Sequence, residues 1–377
     1  MRLTAETKTV LLTLGRLPVG LDIARSFAAL GWRVLVADPF SMHLAKMSRA
    51  VSNSLRVRAP VDDPAGYLED LERIVSDHRI DLVVPVSEET MYVAALDSAP
   101  DRFCRPQSET LALHDKFRFI ETAHGFSLPV PATGLADDPE SADITQSGAF
   151  IAKPRFSCGG RGVSFHEAGD AVAGDSDWLI QEQLQGDHVS VFCIARGGST
   201  LASSAYRGTV VDGSVSVAFE RIDCETAESW ARSFVEQSGH TGFIAFDFFV
   251  GDDGVARAIE CNPRATSGIH FIDEQSIAPA ILGTATEASA MRTERHRVES
   301  YSCFTKLQGS VFRPREFRRI LRELRRSSDV TWARSDPWPF LLMMINTWPI
   351  IWRALTRRKT FAVASMLDIE WRPPGQV

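Results

Sequence analysis

Cysteines at paired spacing, a signal-peptide core over Met1 to Val10 and an apolar run of membrane length are not found in this sequence. Only six of its 377 residues are cysteine: Cys104, Cys158, Cys193, Cys224, Cys261 and Cys303. No two stand at CxxC spacing, so neither a zinc site nor a disulfide framework is indicated. Reduced thiols in a cytoplasmic protein are the expectation. His43, His78, His166 and His240 show no ligand spacing and read as ordinary residues. Met1 to Val10 lacks the apolar core of a signal peptide, and the first apolar run, Val10 to Leu14, reads as a strand. Internal repeats and low-complexity tracts are absent. A charged fraction of 24% and a net charge of -7 exclude a disordered chain and a general nucleic-acid binder. What remains is a chain with 44% apolar residues, too long for one small core and suited to two or three subdomains.

The apolar spacing changes along the chain. Val10–Leu14, a helix over Leu21–Leu30 with Ile23, Phe27 and Leu30 on one face, and Arg33–Ala37 form a βαβ pattern. A helix over Gly66–Asp77 and a strand over Leu82–Val86 continue it, which predicts a parallel sheet with helices on both faces. A turn-rich stretch, Leu128 to Gly148, ends this regime. Strands then follow closely at Ala149–Lys153, Trp178–Gln183, Val189–Ala195 and Leu201–Arg207, as in an antiparallel α+β region. A helix over Glu225–Ser238 leads into strands Phe243–Val250 and Val255–Cys261, joined by the hairpin signal Gly251-Asp-Asp-Gly254. From about Ala290 arginine and tryptophan dominate, and Leu367–Trp371 reads as a short terminal strand.

Three motifs carry chemistry. Asp247 lies on one strand of the hairpin, and Glu260 and Asn262 lie at the end of the other. At a period of two, Glu260 and Asn262 point the same way. Two carboxylates and an amide oxygen are hard ligands for Mg²⁺, an ion that keeps waters and accepts phosphate oxygens. Pro263 stops the strand, and Arg264 adds a fixed cation. Upstream, Lys153 ends a strand and precedes Ser157-Cys-Gly-Gly-Arg-Gly162. Glycines let backbone N–H groups approach a triphosphate closely, and the lysine adds a point charge. No Gly-Lys-Ser/Thr follows, so this is not a Walker A loop. Between them, Leu179-Ile-Gln-Glu-Gln-Leu184 is an apolar strand whose acid can lie across an adenine edge.

The order lysine, glycine loop, Gln-Glu strand, then Asp…Glu-x-Asn-Pro-Arg resembles the ATP-grasp superfamily, nearest its carbamoyl phosphate synthetase and biotin carboxylase branch. The resemblance covers roughly residues 10 to 290. It implies a Rossmann-like N-terminal domain over 1–110 and an ATP-grasp domain over 111–295, built of two α+β subdomains with a small lid at about 125–185. A helical appendage over 296–377 would follow. It implies ATP and Mg²⁺ as cofactors, with Mn²⁺ able to substitute. Lys116 and Lys153 would contact phosphates, and Gly159, Gly160 and Gly162 would close over them. Glu182 and Leu184 would meet adenine, with Asp187 the nearest ribose acid at uncertain register. Asp247, Glu260 and Asn262 would hold metal, and Arg264 would steady the transferred phosphoryl group. Cys158 stands where the family more often has a small residue or serine, and Asp247 where it more often has a longer acid or amide.

The implied activity is ligation of a small-molecule carboxylate to an amine through an acyl phosphate, releasing ADP. A non-catalytic nucleotide sensor and a nicotinamide-dependent oxidoreductase are the competing readings. The second rests on Gly15-Arg-Leu-Pro-Val-Gly20 with Asp38 ending the next strand, which is not GxGxxG. Glu88 and Glu89 read as a helix start, or as holders of an amine; Arg161 and His270 are weaker substrate candidates. The basic stretch Arg313–Arg326 and the apolar Trp338–Trp352 read as an appendage packed on the catalytic domain. Attachment to an anionic membrane surface and homodimerisation are the alternatives, the apolar run being too short and too interrupted to span.

Overall fold

The computed structural model describes residues 7–97, 101–139, 141–157, 161–172, 174–213, 215–285 and 290–373. Its first sheet contains β1 (Thr9–Leu12), β2 (Arg33–Asp38), β3 (Asn53–Arg56) and β4 (Leu82–Val84), all parallel, in the order β3-β2-β1-β4. Apolar runs without alternation belong to strands covered on both faces. Val10, Leu12, Val34 and Val36 pack with Ile23 and Phe27 of the helix Pro18–Ala29. Leu11, Leu35 and Ala37 pack on the other side with Tyr67, Leu71 and Ile74 of the helix Pro64–His78. Both helices begin at a proline, ahead of where apolar spacing alone starts them, because proline is accommodated in the first helical turn.

The second sheet is small and antiparallel. It contains β5 (Thr133–Leu135), β6 (Phe150–Pro154), β7 (Ser164–His166) and β8 (Trp178–Glu182), in the order β5-β8-β6-β7. The stretch read as turns therefore holds β5 and a helix, Ser141–Ser147. The third sheet contains β9 (Asp187–Arg196), β10 (Ser199–Asp212), β11 (Val215–Arg221), β12 (Gly242–Val250), β13 (Ala256–Asn262), β14 (His296–Val298) and β15 (Ser328–Asp329). Its order is β13-β12-β9-β10-β11-β14-β15. β14 and β15 extend this sheet from beyond residue 295, and two or three residues are too few to show a period in sequence.

The helix Glu225–Ser238 stands where its spacing predicts. Trp230 and Phe234 stack at 5.5 Å, and Phe234 meets the rings of Phe119, Phe126 and Phe246 at 5.6, 5.5 and 5.1 Å. This aromatic cluster packs on one face of β12 through Phe246 and Phe248, and Asp247 between them points to the opposite face.

The C-terminal region is helical over Ser300–Gly309, Pro314–Arg326, Trp338–Leu341, Met343–Asn346, Trp348–Arg357 and Phe361–Ala364. It returns to the first sheet through buried ion pairs: Arg25 with Asp336 at 3.0 Å, and Arg16 with Asp368 at 2.7 Å. Leu367–Trp371 is not a strand. Its turns bury Ile369 in the cluster around β1 and β2, so its apolar residues mark a docking point and not a ladder.

Phe234 is fully buried among four rings. Phe234→Ala should therefore cost about 3–5 kcal/mol. A fall in the denaturant midpoint at unchanged slope would show it.

Candidate functional site

β12 and β13 are antiparallel, and their register sets Asp247 opposite Glu260 and Ala245 opposite Asn262. A register shift follows Asp247, a local bulge of the kind that re-aims a side chain. The turn closes at Gly254, whose φ of 71° a side chain would oppose. Asp247 Oδ1 accepts from Ser190 Oγ at 2.5 Å, and its Oδ2 accepts from Asn262 Nδ2 at 3.1 Å. Asn262 Oδ1 accepts from Arg264 Nη2 at 3.2 Å. Ser190, Asp247, Asn262 and Arg264 are thus one hydrogen-bonded chain, with Glu260 facing Asp247 across the ladder.

Cations from three other places converge on it. Lys116 opens the helix Lys116–Gly125, and its Nζ lies 3.8 Å from Glu260 Oε2. The same Nζ donates to the Ser157 carbonyl at 2.6 Å, tying it to the start of the glycine loop. Lys153, on β6, donates to Gln181 Oε1 at 2.9 Å and to the Ile259 carbonyl at 3.1 Å. Arg264 Nε donates to Glu88 Oε1 at 2.5 Å.

This crowding separates the two acids. Burial and the neighbouring Glu260 push the Asp247 carboxyl up. Burial pushes Glu260 up as well, but Lys116, Lys153, His114 and Arg264 outweigh it and hold its carboxyl below the usual range. Burial lowers the Lys153 ammonium to about 8, with Glu260 opposing. Among the described residues, no group of three or more His, Cys, Asp or Glu is placed to hold a metal. The available set is two facing carboxylates and an amide, which suits a Mg²⁺ that keeps waters and takes phosphate oxygens. Two half-buried acids facing one another also supply the negative charge such an ion neutralises.

Apart from Lys116, which is buried behind Glu260 and is not among the lining residues, these groups border a cavity of about 750 Å³. Lys153, Glu182, Leu184, Asp247, Glu260, Asn262 and Arg264 line it, with Ile151, Val163, Phe165, Phe249 and Ile259 as apolar walls. Glu182 ends β8, and its Oε2 accepts from Ala132 N–H at 3.3 Å. Asp187 is exposed at the start of β9, opposite Val250, and is not among the lining residues; the next residue, His188, is. Gly162 has a φ of 79°, and a side chain there would strike Pro154. Gly159, Gly160 and Cys158 lie outside the described residues.

Other sequence candidates have structural duties. Glu88 is fully buried against Arg264, so it positions that cation. Glu89 precedes the short helix Thr90–Val93, but its carboxylate accepts from Val86 N–H at 2.7 Å and Thr13 Oγ1 at 2.9 Å. His270 is buried on Asp22 at 2.5 Å. Arg161 pairs with Glu370 of the C-terminal segment. Asp38, the acid on which a dinucleotide reading depends, is fully buried and spent on Arg16 at 2.7 Å and the Gly15 N–H at 3.0 Å. Residues to which the sequence reading gave no role complete the cavity: Gln181, Ser190, His188 and, from the C-terminal region, Glu299, Tyr301, Met343, Thr347, Ile350 and Phe361. Gln181 stands beside Glu182 in the Gln-Glu strand; the C-terminal wall was legible only as an apolar stretch expected to pack on the catalytic domain, with no sign of which residues meet the cavity.

Residues 113–268 match the family model described as the ATP-grasp domain. Solved structures share the fold at low identity. The biotin carboxylase domain of Hydrogenobacter thermophilus 2-oxoglutarate carboxylase, in complex with MgADP, ADP and bicarbonate, is 14% identical with a TM-score of 0.59, over 74% of this chain and 70% of that one. N5-carboxyaminoimidazole synthetase from Staphylococcus aureus, complexed with ADP, is 18% identical with a TM-score of 0.58, over 75% of this chain and 80% of that one. N5-carboxyaminoimidazole ribonucleotide synthetase from Thermus thermophilus is 19% identical with a TM-score of 0.58, over 75% and 81% respectively. No curated protein sequence matches.

With its ammonium lowered to about 8, Lys153 is half deprotonated near that pH. A phosphate beside it favours the charged form, so ATP binding at pH 8 should take up protons. Calorimetry in buffers of different ionisation heat measures this uptake. Lys153→Arg, which stays charged throughout, should abolish it.

Proposed function

We propose that this chain, whose residues 113–268 form an ATP-grasp domain, is an ADP-forming ligase that joins a small-molecule carboxylate to an amine. The observation that carries the reading is the register pairing of Asp247 with Glu260 beneath Lys116, Lys153 and Arg264, at the edge of a cavity large enough for a nucleotide and a second molecule. The division that goes with it is an N-terminal Rossmann-like domain over 1–110, an ATP-grasp domain over 111–295 and a C-terminal segment over 296–377. The place of action is the cytoplasm.

A carboxylate is a poor electrophile because oxide is a poor leaving group. In the proposed reaction a substrate carboxylate oxygen attacks the γ-phosphorus, the bond to the β-phosphate oxygen breaks, and ADP leaves. The amine nitrogen then attacks the acyl carbon, phosphate departs, and the nitrogen loses its proton. Protein catalysis of this kind is mostly positioning and charge neutralisation. Lys116 and Lys153 grip phosphate oxygens. Arg264, oriented by Glu88 and Asn262, faces the transferred group. Asp247, Glu260 and Asn262 would hold Mg²⁺ (or Mn²⁺), which when bound neutralises phosphate charge. Glu182 and Leu184 border the adenine end, and the loop 157–162 excludes water from the intermediate.

The opposite end of the cavity supports an amine with an apolar body. Leu17, Val19, Leu44, Met343, Ile350 and Phe361 give apolar walls. Glu299 lines the same end, accepts from Ser302 Oγ at 3.2 Å, and makes no ion pair among the described residues. Burial pushes its carboxyl up to about 7. An ammonium group would complete it.

Magnesium-dependent ADP release, screened over pooled carboxylates and amines, tests the chemistry. Glu260→Ala should lower stimulated release by about 10²–10³-fold, the usual cost of losing one charge-stabilising group. Release of AMP and pyrophosphate in place of ADP would refute the acyl-phosphate route. For the amine end, the KM for the amine should fall as pH rises through about 7, where Glu299 ionises. Glu299→Gln should raise that KM about tenfold and flatten its pH dependence; an unchanged profile would remove Glu299 from the role.

A further inference from the structure

The exposed apolar side chains of this protein are concentrated in one place. Fourteen large hydrophobic residues are exposed among the described residues, and all but Leu30, Phe165 and Val211 lie between Phe304 and Leu355. Trp338, Leu341, Met344, Ile345, Trp348, Trp352 and Leu355 are 45 to 67% exposed. Their spacing is three and four residues, so across three short consecutive helices they form one outward stripe. The segment is nonetheless docked. Pro339, Asn346, Thr347 and Ile350, on the other side, are buried. The stripe is therefore the outer face of a packed element and not the face of a detached one.

The charge around the stripe says what covers it. Residues 313–359 contain twelve Arg and Lys against four Asp and Glu, in a chain whose net charge is -7. Arg315, Arg318, Arg322, Arg325 and Arg326 are exposed along the helix Pro314–Arg326. Arg357, Arg358 and Lys359 are exposed where the stripe ends. The basic and apolar surfaces meet: Lys306 and Arg313 share a surface groove with Ile351 and Leu355. No helix among the described residues is long and apolar enough to cross a membrane. Tryptophan and leucine flanked by arginine are the composition of elements that lie in a bilayer interface. A two-fold pairing of copies through the same face would set arginines against arginines.

We propose that the C-terminal helices are a docking face for an anionic lipid surface, with the tryptophan stripe entering the headgroup region and the arginines meeting lipid phosphates. Met343, Thr347 and Ile350 line the catalytic cavity from the inner side of the same helices. Docking therefore brings the substrate end of the cavity to the bilayer, where apolar amines partition.

The test is sedimentation of the full chain with vesicles of phosphatidylcholine alone and of phosphatidylcholine mixed with phosphatidylglycerol, with MgATP binding as the control for an intact fold. Binding should require phosphatidylglycerol and weaken with salt. The double variant Trp348→Ser, Trp352→Ser and the triple variant Arg318→Gln, Arg322→Gln, Arg325→Gln should each lose about tenfold or more in vesicle affinity while still binding MgATP. No vesicle binding, equal binding to phosphatidylcholine alone, or undiminished binding by either variant would overturn the proposal. So would light scattering that finds a dimer which the tryptophan variant converts to monomer, since a second copy would then be the occupant.

Discussion

Two half-buried carboxylates facing one another on adjacent strands repel. Asp247 and Glu260 occupy that relationship because β12 and β13 pair in a single register. Much of the surrounding architecture answers to it. Lys116 arrives on a helix start, Lys153 on a strand of a separate sheet, and Arg264 on the chain leaving β13. Each is itself buried or held by a partner, so the cations stay in place without a ligand. The outcome is asymmetric: Asp247 is pushed up and Glu260 held down, a pair poised to accept a divalent cation and phosphate oxygens together.

A second cluster joins the two ends of the chain. Arg16 sits between Asp38 and Asp368, both at 2.7 Å, and its guanidinium lies 3.9 Å from the centre of the Phe40 ring. Removing one partner of such a buried network would leave an uncompensated charge. The network engages the acid on which a dinucleotide reading of the turn after β1 depends: Asp38 is committed, through Arg16, to holding the C-terminal segment. That segment in turn reaches the nucleotide side, where Glu370 pairs with Arg161 and Trp371 packs 5.2 Å from Phe156. The C-terminal helices are thus wall, clasp and outer surface at once.

Legibility followed the strength of the local pattern. The βαβ start, the long strands β9, β10, β12 and β13, and the helix Glu225–Ser238 were readable because burial on defined faces writes a period into the chain. β3, β7, β14 and β15 were not, since two to four residues cannot establish a period and their pairing depends on partners distant in sequence. Leu367–Trp371 looked like a strand for the same reason that it is buried: apolar residues dock a turn as readily as they fill a ladder. Glu88 could be noticed at the end of a parallel strand, but only the fold shows that its charge is spent on Arg264.

What the sequence offered by itself was a set of groups: two acids, an amide and an arginine on a hairpin, lysines upstream, and a glycine loop, in an order that resembles the ATP-grasp superfamily. Residue type and strand period place the acids and the amide on the hairpin, because they depend on neighbours only a few positions away; the phosphoryl chemistry is what the resemblance implies. The tertiary structure alone decided which groups share a cavity. It brought Glu299, Met343 and Ile350 into the cavity that Lys153 and Glu260 border, put His188 and not Asp187 on its wall, and left the tryptophan stripe facing outward. Those placements come from long-range packing and buried ion pairs, whose partners lie hundreds of residues apart and leave no trace in local sequence.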